Sequence, residues 1–148
     1  MVRFATINDI DWLKALYLEN KDMIALQPPT EFFSLAIEKN QFYLLCNDED
    51  ETEIYTAMHI EEFDTYFQVS FISTKLEYRG HGYADMLSSY VYNRMNRNSH
   101  FIVQRGSSFE QWVFSNPVFA ANATKVGELE SFYGVKFDKY EVTYPFEY

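Results

Sequence analysis

The sequence predicts an α/β fold (α+β, with a mixed sheet) in which a central, mostly antiparallel sheet is flanked by helices on both faces. Three observations predict it. Of the 148 residues, 47% are hydrophobic, strand-like and helix-like segments alternate along the chain, and a glycine turn at Gly80 and Gly82 joins a strand to a long helix. The length suits one domain, 1–148, that buries roughly 70% of the surface of its unfolded chain.

The N-terminal half has clear start and stop signals for its elements. Thr6 can accept a hydrogen bond from a free N–H at the start of a helix, and Asp9 can reach back in a capping-box-like pair. The Pro28-Pro29 pair breaks the chain before a second helix. In order, we expect a strand over 2–5, a helix to about Asn20, a helix over 31–39, strands over 41–47, 53–60 and 66–74, and a helix from 83 to about 98.

The C-terminal half is less regular. Residues 101–105 and 111–115 both have strand-like composition; we favour 111–115 as the central fifth strand and 101–110 as an insertion. Residues 123–133 have apolar side chains at helical spacing, and Gly134 is a good C-cap. Residues 135–137 and 140–144 then predict two closing antiparallel strands.

Composition narrows the class of partner. The chain has 12 basic and 22 acidic residues, a net charge of −10. This disfavours nucleic acid and anionic membranes, which need a basic surface, and suits a cationic partner. The only cysteine, Cys46, cannot form an internal disulfide, and no apolar run approaches ~18 residues. A soluble cytoplasmic protein is therefore expected.

The segment 79–84, Arg-Gly-His-Gly-Tyr-Ala, carries most of the functional information. It lies between the strand over 66–74 and the helix that begins near Tyr83. Glycines let the backbone approach a ligand closely, and the first turn of a helix offers free N–H groups and partial positive charge. Arg79 adds a cation. The segment therefore predicts a binding site for a phosphate or pyrophosphate.

Two common phosphate loops do not fit this segment. A P-loop needs Lys followed by Ser or Thr after its second glycine, but here Tyr83 and Ala84 follow. A dinucleotide-binding Rossmann loop needs a small residue three positions after the second glycine, but Asp85 stands there.

The segment resembles the acetyl-CoA loop of the GNAT superfamily of N-acetyltransferases, whose pattern is Gln/Arg-x-x-Gly-x-Gly/Ala. Arg79, Gly82 and Ala84 occupy its three fixed places. The order of the predicted elements also resembles the N-terminal course of that fold. The resemblance implies the GNAT acyl-CoA N-acyltransferase fold, with acetyl-CoA as cosubstrate and no metal.

It also implies how the cosubstrate is held. The strand before the loop would separate from the next parallel strand beside 71–74, and its free backbone groups would hydrogen-bond the pantetheine arm of acetyl-CoA. The implied pantetheine residues are Ile72, Ser73 and Thr74. The implied pyrophosphate residues are Arg79, Gly80, His81, Gly82, Tyr83 and Ala84.

The resemblance also bears on the proton donor. Family members often use a tyrosine of the C-terminal helix to protonate the leaving thiolate, since its pKa near 10 suits that task. Counted back from Phe137, the expected place is occupied by Phe132, with Tyr133 beside it. The implied acid is therefore Tyr133, reached by a one-residue shift; otherwise water must serve.

Other titratable residues give weaker indications. Glu61, Glu62 and Asp64 are candidate bases, although each suits a solvated loop equally well. His59 and His100 have no partner at metal-ligand spacing, so no metal site is predicted.

The predicted function is N-acetyltransferase activity, by direct attack of a primary amine on acetyl-CoA in a ternary complex. The acceptor would be an amine-bearing small molecule, or a lysine or N-terminus of a protein. The alternative is a catalytically inactive GNAT-fold protein with a binding or structural role, which the absence of the expected tyrosine permits. The sequence leaves open whether the protein forms a homodimer.

Overall fold

The computed structural model describes residues 1–21, 27–130 and 134–147. The strands in this part of the chain are β1 Val2–Phe4, β2 Phe42–Cys46, β3 Ile54–Glu62, β4 Tyr66–Thr74, β5 Asn98–Gln104, β6 Ala123–Glu130 and β7 Lys136–Val142. The α-helices are α1 Ile10–Glu19, α2 Thr30–Glu38, α3 Tyr83–Met95, α4 Ser108–Ser115 and α5 Pro117–Asn122, and 3₁₀ turns span Ile7–Asp9 and Leu76–Tyr78.

The strands form one seven-stranded mixed sheet in the order β1-β2-β3-β4-β5-β7-β6. β4 and β5 are parallel, whereas the pairs β1–β2, β2–β3, β5–β7 and β6–β7 are antiparallel. The predicted fold class, a mostly antiparallel mixed sheet flanked by helices, is therefore confirmed. Contacts divide the chain into two compact units, Met1–Ile60 with Phe71–Val91 and Glu61–Ser70 with Tyr92–Tyr148. That the whole chain acts as one domain stays a prediction.

In the first unit, α1 and α2 bury aromatic side chains against the sheet. Tyr17 of α1 stacks on Phe71 of β4 with ring centroids 4.0 Å apart, and contacts Phe33 of α2 edge-on at 5.1 Å. Leu13, Leu16 and Tyr17 recur at helical spacing and are all buried, as the sequence pattern predicts.

The 3₁₀ turn Ile7–Asp9, which leads into α1, has the predicted capping pair. An Asp9 carboxylate oxygen accepts the backbone N–H of Thr6 at 2.7 Å. The guanidinium of Arg3 also donates to Asp9, at 2.8 and 3.0 Å. Although burial opposes ionisation, these donors lower the pKa of Asp9 below its usual value.

In the second unit, α4 and α5 pack on the face of β5 and β7 that carries Phe101 and Tyr140. These two rings stack at 5.4 Å, and Phe119 of α5 lies 5.2 Å from Phe101. Asn116 caps α5 by accepting from the N–H groups of Val118 and Phe119 at 3.0 and 3.3 Å.

The prediction for residues 101–115 was wrong. Residues 98–104 form strand β5, and 111–115 belong to α4. The reason is local: the Ser107 hydroxyl accepts the N–H of Glu110 at 3.1 Å, and the Glu110 carboxylate accepts the N–H of Gly106 at 3.1 Å. This cap starts a helix in a segment whose aromatic and β-branched residues favour a strand. The preceding helix, expected to reach about residue 98, ends at Met95.

The prediction of a helix over 123–133 was also wrong, because residues 123–130 form strand β6. β6 pairs with β7 from Ala123↔Val142 to Glu130↔Lys136. The two closing strands expected over 135–144 are one continuous strand, β7. Pairing with β7 supplies backbone hydrogen bonds that a weak helical pattern cannot outweigh.

Candidate functional site

The predicted phosphate-binding segment lies at the end of β4, where the chain passes into α3. β4 is parallel to β5 from Tyr66↔Asn98 to Val69↔Phe101, and the register ends there. Within these fully described strands, 71–74 therefore has no partner in β5, as the sequence interpretation expects.

Both loop glycines adopt a conformation that side chains disfavour. Gly80 has φ 88° and Gly82 has φ 77°, and among the described residues no atom lies within 4 Å of a Cβ added at either position. The carbonyl of Gly82 accepts the N–H of Met86 at 3.0 Å, which closes the first turn of α3. The loop is therefore open on its glycine side, immediately before the first turn of α3.

Arg79 is oriented by the strand that precedes it. Its Nε donates to the Thr74 carbonyl at 3.1 Å, and the residue is exposed. Within the described part of the chain, this is the hydrogen bond that the structure records for the guanidinium. The terminal nitrogens of Arg79 are therefore available for a charge-assisted contact with an anion.

Two of the three predicted pantetheine residues form side-chain hydrogen bonds within the first unit. The buried Ser73 hydroxyl donates to Asn20 Oδ1 at 3.1 Å, at the end of α1. The hydroxyls of Thr74 and Thr56 are 2.8 Å apart. Ile72 is buried. These contacts fix the end of β4, and the pantetheine role of its backbone stays a prediction.

A second contact with α1 holds the chain just after β4. The Glu19 carboxylate accepts the N–H of Leu76 at 3.0 Å and pairs with the Lys75 ammonium at 3.0 Å. The same ammonium lies 5.9 Å from the centre of the Trp12 ring. The entry to the loop is therefore fixed by charge as well as by strand pairing.

The predicted acid, Tyr133, and the neighbouring Phe132 lie outside the described residues. The helix that would have carried Tyr133 is strand β6 over 123–130. In the described part of the chain, the helices that follow β5 are α4 and α5, and neither contains a tyrosine. The assignment of Tyr133 has thus lost its helical basis and stays a prediction.

The candidate bases of the β3–β4 turn are near the surface. Glu62 forms an ion pair with Arg97, and Asp64 is exposed. Glu61 is half-buried. The Glu62 carboxylate is therefore already paired with a cation.

The structure brings together one pair that sequence reasoning missed. His100 Nε2 lies 3.0 Å from the Glu141 carboxylate, and the His100 ring stacks on Tyr66 at 4.3 Å. An imidazole oriented by a carboxylate is a competent proton acceptor. The pairing depends on the β5–β7 register, which sets His100 opposite Glu141, so no local sequence signal could reveal it.

The other two histidines have different surroundings. His81 is exposed, and its ring is 5.6 Å from that of Tyr83. His59 is buried, with Nε2 3.2 Å from Gln41 Oε1, while its Nδ1 has no hydrogen-bond partner among the described residues. Burial lowers the pKa of His59 to about 4, so the ring is neutral near pH 7.

In the described ranges, no group of three His, Cys, Asp or Glu side chains is arranged to hold a metal ion. None of the helices in those ranges is long and apolar enough to cross a membrane.

Known structures resemble this chain over almost its full length. Arabidopsis thaliana NAA60 in complex with acetyl-CoA superposes with a TM-score of 0.73 at 13% identity, over 97% of this chain and 98% of that one. A chain of the NatC complex bound to Gag peptide and CoA gives 0.72 at 10% identity, over 97% of each chain. The Escherichia coli ribosomal-protein-S18-alanine N-acetyltransferase gives 0.69 at 9% identity, over 97% of this chain and 92% of that one.

No protein-family model matches the sequence, and a search of curated proteins gives no significant match. At such low identity the structural likeness establishes the fold alone. The chain has the fold of the GNAT N-acetyltransferases, as the loop pattern and the order of the elements imply.

Proposed function

We propose that this protein is an N-acetyltransferase that moves an acetyl group from acetyl-CoA to a primary amine. One observation carries the proposal: two left-handed glycines lie immediately before α3, with open space where side chains would stand. Backbone N–H groups of such a loop can approach a pyrophosphate closely. The terminal nitrogens of Arg79 would add a charge-assisted contact.

The reaction is direct attack of a neutral amine on the thioester in a ternary complex. It needs a proton acceptor for the amine, stabilisation of the tetrahedral oxyanion and a proton for the leaving thiolate. We propose that Tyr133 donates the proton to the leaving thiolate, as the sequence analysis expects.

The acceptor class is supported by the structural neighbours and by charge. One neighbour was solved with a peptide and CoA, and another is named for an alanine of a ribosomal protein. A net charge of −10 suits a positively charged partner. A protein or peptide N-terminus is therefore the first acceptor to test, followed by lysine side chains and small cationic amines.

The rival proposal is an inactive GNAT-fold protein with a binding or structural role. It is favoured by one observation, the lack of a tyrosine in α4 and α5. Both proposals include binding of acetyl-CoA, so turnover separates them.

The cosubstrate site is tested by calorimetric titration of acetyl-CoA into the wild type and Gly82→Val. The valine imposes strain at φ 77° and blocks the approach of the pyrophosphate, so affinity should fall by several kcal/mol. Gly106→Val is the matched control, since Gly106 has φ 79° and equally open surroundings in the turn between β5 and α4. Arg79→Ala should weaken binding less, by about 1–3 kcal/mol. Equal affinity of the two valine variants would show that the 79–84 loop is only a turn.

Turnover is tested with three acceptors: a peptide with a free N-terminus, the same peptide with its N-terminus blocked and one lysine, and a small diamine. If Tyr133 is the acid, Tyr133→Phe should lower turnover by roughly 10²–10⁴ with little change in affinity for acetyl-CoA. Full turnover in that variant would assign the proton to water or to another residue. Binding of acetyl-CoA without turnover of any acceptor would favour the inactive protein.

A further inference from the structure

One residue of β3, Tyr55, contacts the loop region at three points. Its backbone carbonyl accepts the N–H of Lys75 at 2.9 Å, immediately after β4. Its ring stacks on Tyr83, the first residue of α3, with centroids 4.3 Å apart and planes within 7° of parallel. The ring of Tyr78 meets the Tyr55 ring edge-on at 4.9 Å.

These contacts hold both ends of the loop on the same residue. Lys75, before the two glycines, and Tyr83, after them, both contact Tyr55. Gly80 and Gly82 have no side chains with which to fix their own position. The conformation of the loop therefore depends on its flanks, and ordering a free glycine segment on binding would cost conformational entropy.

The edge-on ring is itself held in place. The Tyr78 hydroxyl donates to a Glu53 carboxylate oxygen at 3.3 Å, and the Tyr78 N–H donates to the Lys75 carbonyl at 2.9 Å. Tyr55 and Tyr78 thus form an edge-on pair of rings, in which Tyr55 belongs to β3 and Tyr78 lies just before the loop.

From this geometry we infer that Tyr55 is a positioning residue, which holds the glycine loop and the start of α3 in the anion-binding conformation before any ligand arrives. Preorganisation of this kind raises affinity by lowering the cost of ordering on binding. The inference rests on the proposed function for the identity of the ligand, whereas the order of the loop is a property of the ligand-free protein. The two can therefore fail separately.

The experiment compares the wild type with Tyr55→Phe, Tyr55→Leu, Tyr83→Leu and the double variant Tyr55→Leu/Tyr83→Leu. Phenylalanine keeps the stacked ring and leucine removes it. Phe63→Leu is the control, because it removes a stack of similar geometry, with Tyr66 at 4.8 Å and 19°, in the turn between β3 and β4. Circular dichroism and thermal unfolding first establish that each variant is folded.

Hydrogen exchange of the ligand-free proteins is the first readout. Amides of residues 79–86 should exchange about three- to tenfold faster in both leucine variants, the scale expected for one aromatic pair, and near the wild-type rate in Tyr55→Phe and Phe63→Leu. The double variant should add little to either single change, since both remove the same stack. Wild-type exchange in folded Tyr55→Leu and Tyr83→Leu would overturn the inference.

Titration with acetyl-CoA is the second readout. The dissociation constant should rise about three- to tenfold in the leucine variants and stay within about twofold in Tyr55→Phe and Phe63→Leu. In an active enzyme the KM of Tyr55→Leu for acetyl-CoA should rise equally while its kcat at saturation is unchanged, a split that a general loss of stability would not give. An unchanged constant in Tyr55→Leu would also overturn the inference. If the wild type does not bind acetyl-CoA, the proposed function fails and the exchange rates alone decide whether Tyr55 positions the loop.

Discussion

Both units have aromatic cores, but the outer strands of the second unit also carry a cluster of ion pairs. In the first unit, the rings of Tyr17 and Phe33 pack against Phe42, which has no exposed surface, and Tyr17 also stacks on Phe71. In the second unit, the outer strands carry charged side chains that pair along the sheet. Arg105 donates to the Asp138 carboxylate at 2.8 to 3.1 Å, and Lys125 lies 2.6 Å from Glu128 and 3.3 Å from Asp138.

This contrast is sharpest at β6. No residue of this strand is buried, and Val126 and Leu129 are about half exposed. β6 is therefore held by its backbone pairing with β7 and by the surface charges, since it contributes little apolar burial. Salt screens exposed ion pairs, which are weak, whereas aromatic packing has no charge for salt to screen. The two parts of the sheet should respond to different perturbations.

The largest effect is expected from Phe42→Ala in the first unit. Removal of a fully buried ring leaves a cavity among other rings, so the free energy of unfolding should fall by about 3–5 kcal/mol. Urea unfolding measures it, with Phe114→Ala as control because the Phe114 side chain is 52% exposed. A loss below 1 kcal/mol in Phe42→Ala would mean that this core is not the main source of stability in its unit.

The second-largest expected effect is the pH dependence of the free energy of unfolding that His59 causes. The pKa of His59 is lowered to about 4 in the folded protein by burial, against about 6.5 in an unfolded chain. The unfolded state therefore binds the extra proton between these values. Stability is complete above pH 6.5 and falls as the pH drops towards 4, by about 3 kcal/mol in all.

Urea unfolding at pH 7 and at pH 4.5 measures this loss, with His59→Gln as the matched variant. Glutamine cannot titrate, so the pH dependence over this window should largely disappear. The pKa of Asp9 is lowered, so its contribution to stability is lost only at more acidic pH, as the pH falls through its folded value. Equal pH dependence in the wild type and His59→Gln would contradict the assignment.

The first unit could be predicted well because its signals are local. A capping pair at Thr6 and Asp9, the break at Pro28-Pro29 and the glycines before α3 each fix an element boundary within a few residues. The pattern Arg79-x-x-Gly82-x-Ala84 then indicated the fold. The candidate site could be predicted only in part, because the sequence shows which residues form the loop but not that Tyr55 lies against it.

The second unit could not be predicted in the same way, because its structure depends on pairing between distant strands. β6 has apolar residues at helical spacing, yet β7 converts it to a strand. The segment 111–115 has strand-forming residues, yet the cap at Ser107 makes it helical. The pair of His100 and Glu141 exists only in the final β5–β7 register, so neither residue alone gave a functional signal.

The smallest effect is expected from Asp138→Asn in the charged strands of the second unit. Hydrogen bonds from the Arg105 guanidinium lower the pKa of Asp138, so its carboxylate stabilises the folded state at neutral pH, and the contribution is lost as the pH falls through the folded pKa. Asparagine removes the charge but keeps the shape, and Arg105 and Lys125 both retain Glu128 as a partner, at 2.9 and 2.6 Å. The free energy of unfolding should therefore fall only slightly, by far less than in Phe42→Ala, and high salt should reduce the difference from the wild type.

Glu128→Gln is the companion variant. The Glu128 carboxylate is more exposed than that of Asp138, so the effect of Glu128→Gln on the free energy of unfolding should be smaller still. A loss in Asp138→Asn as large as that of the core variant, and unchanged in high salt, would show that the ion pairs and not the backbone pairing hold β6 and β7 together.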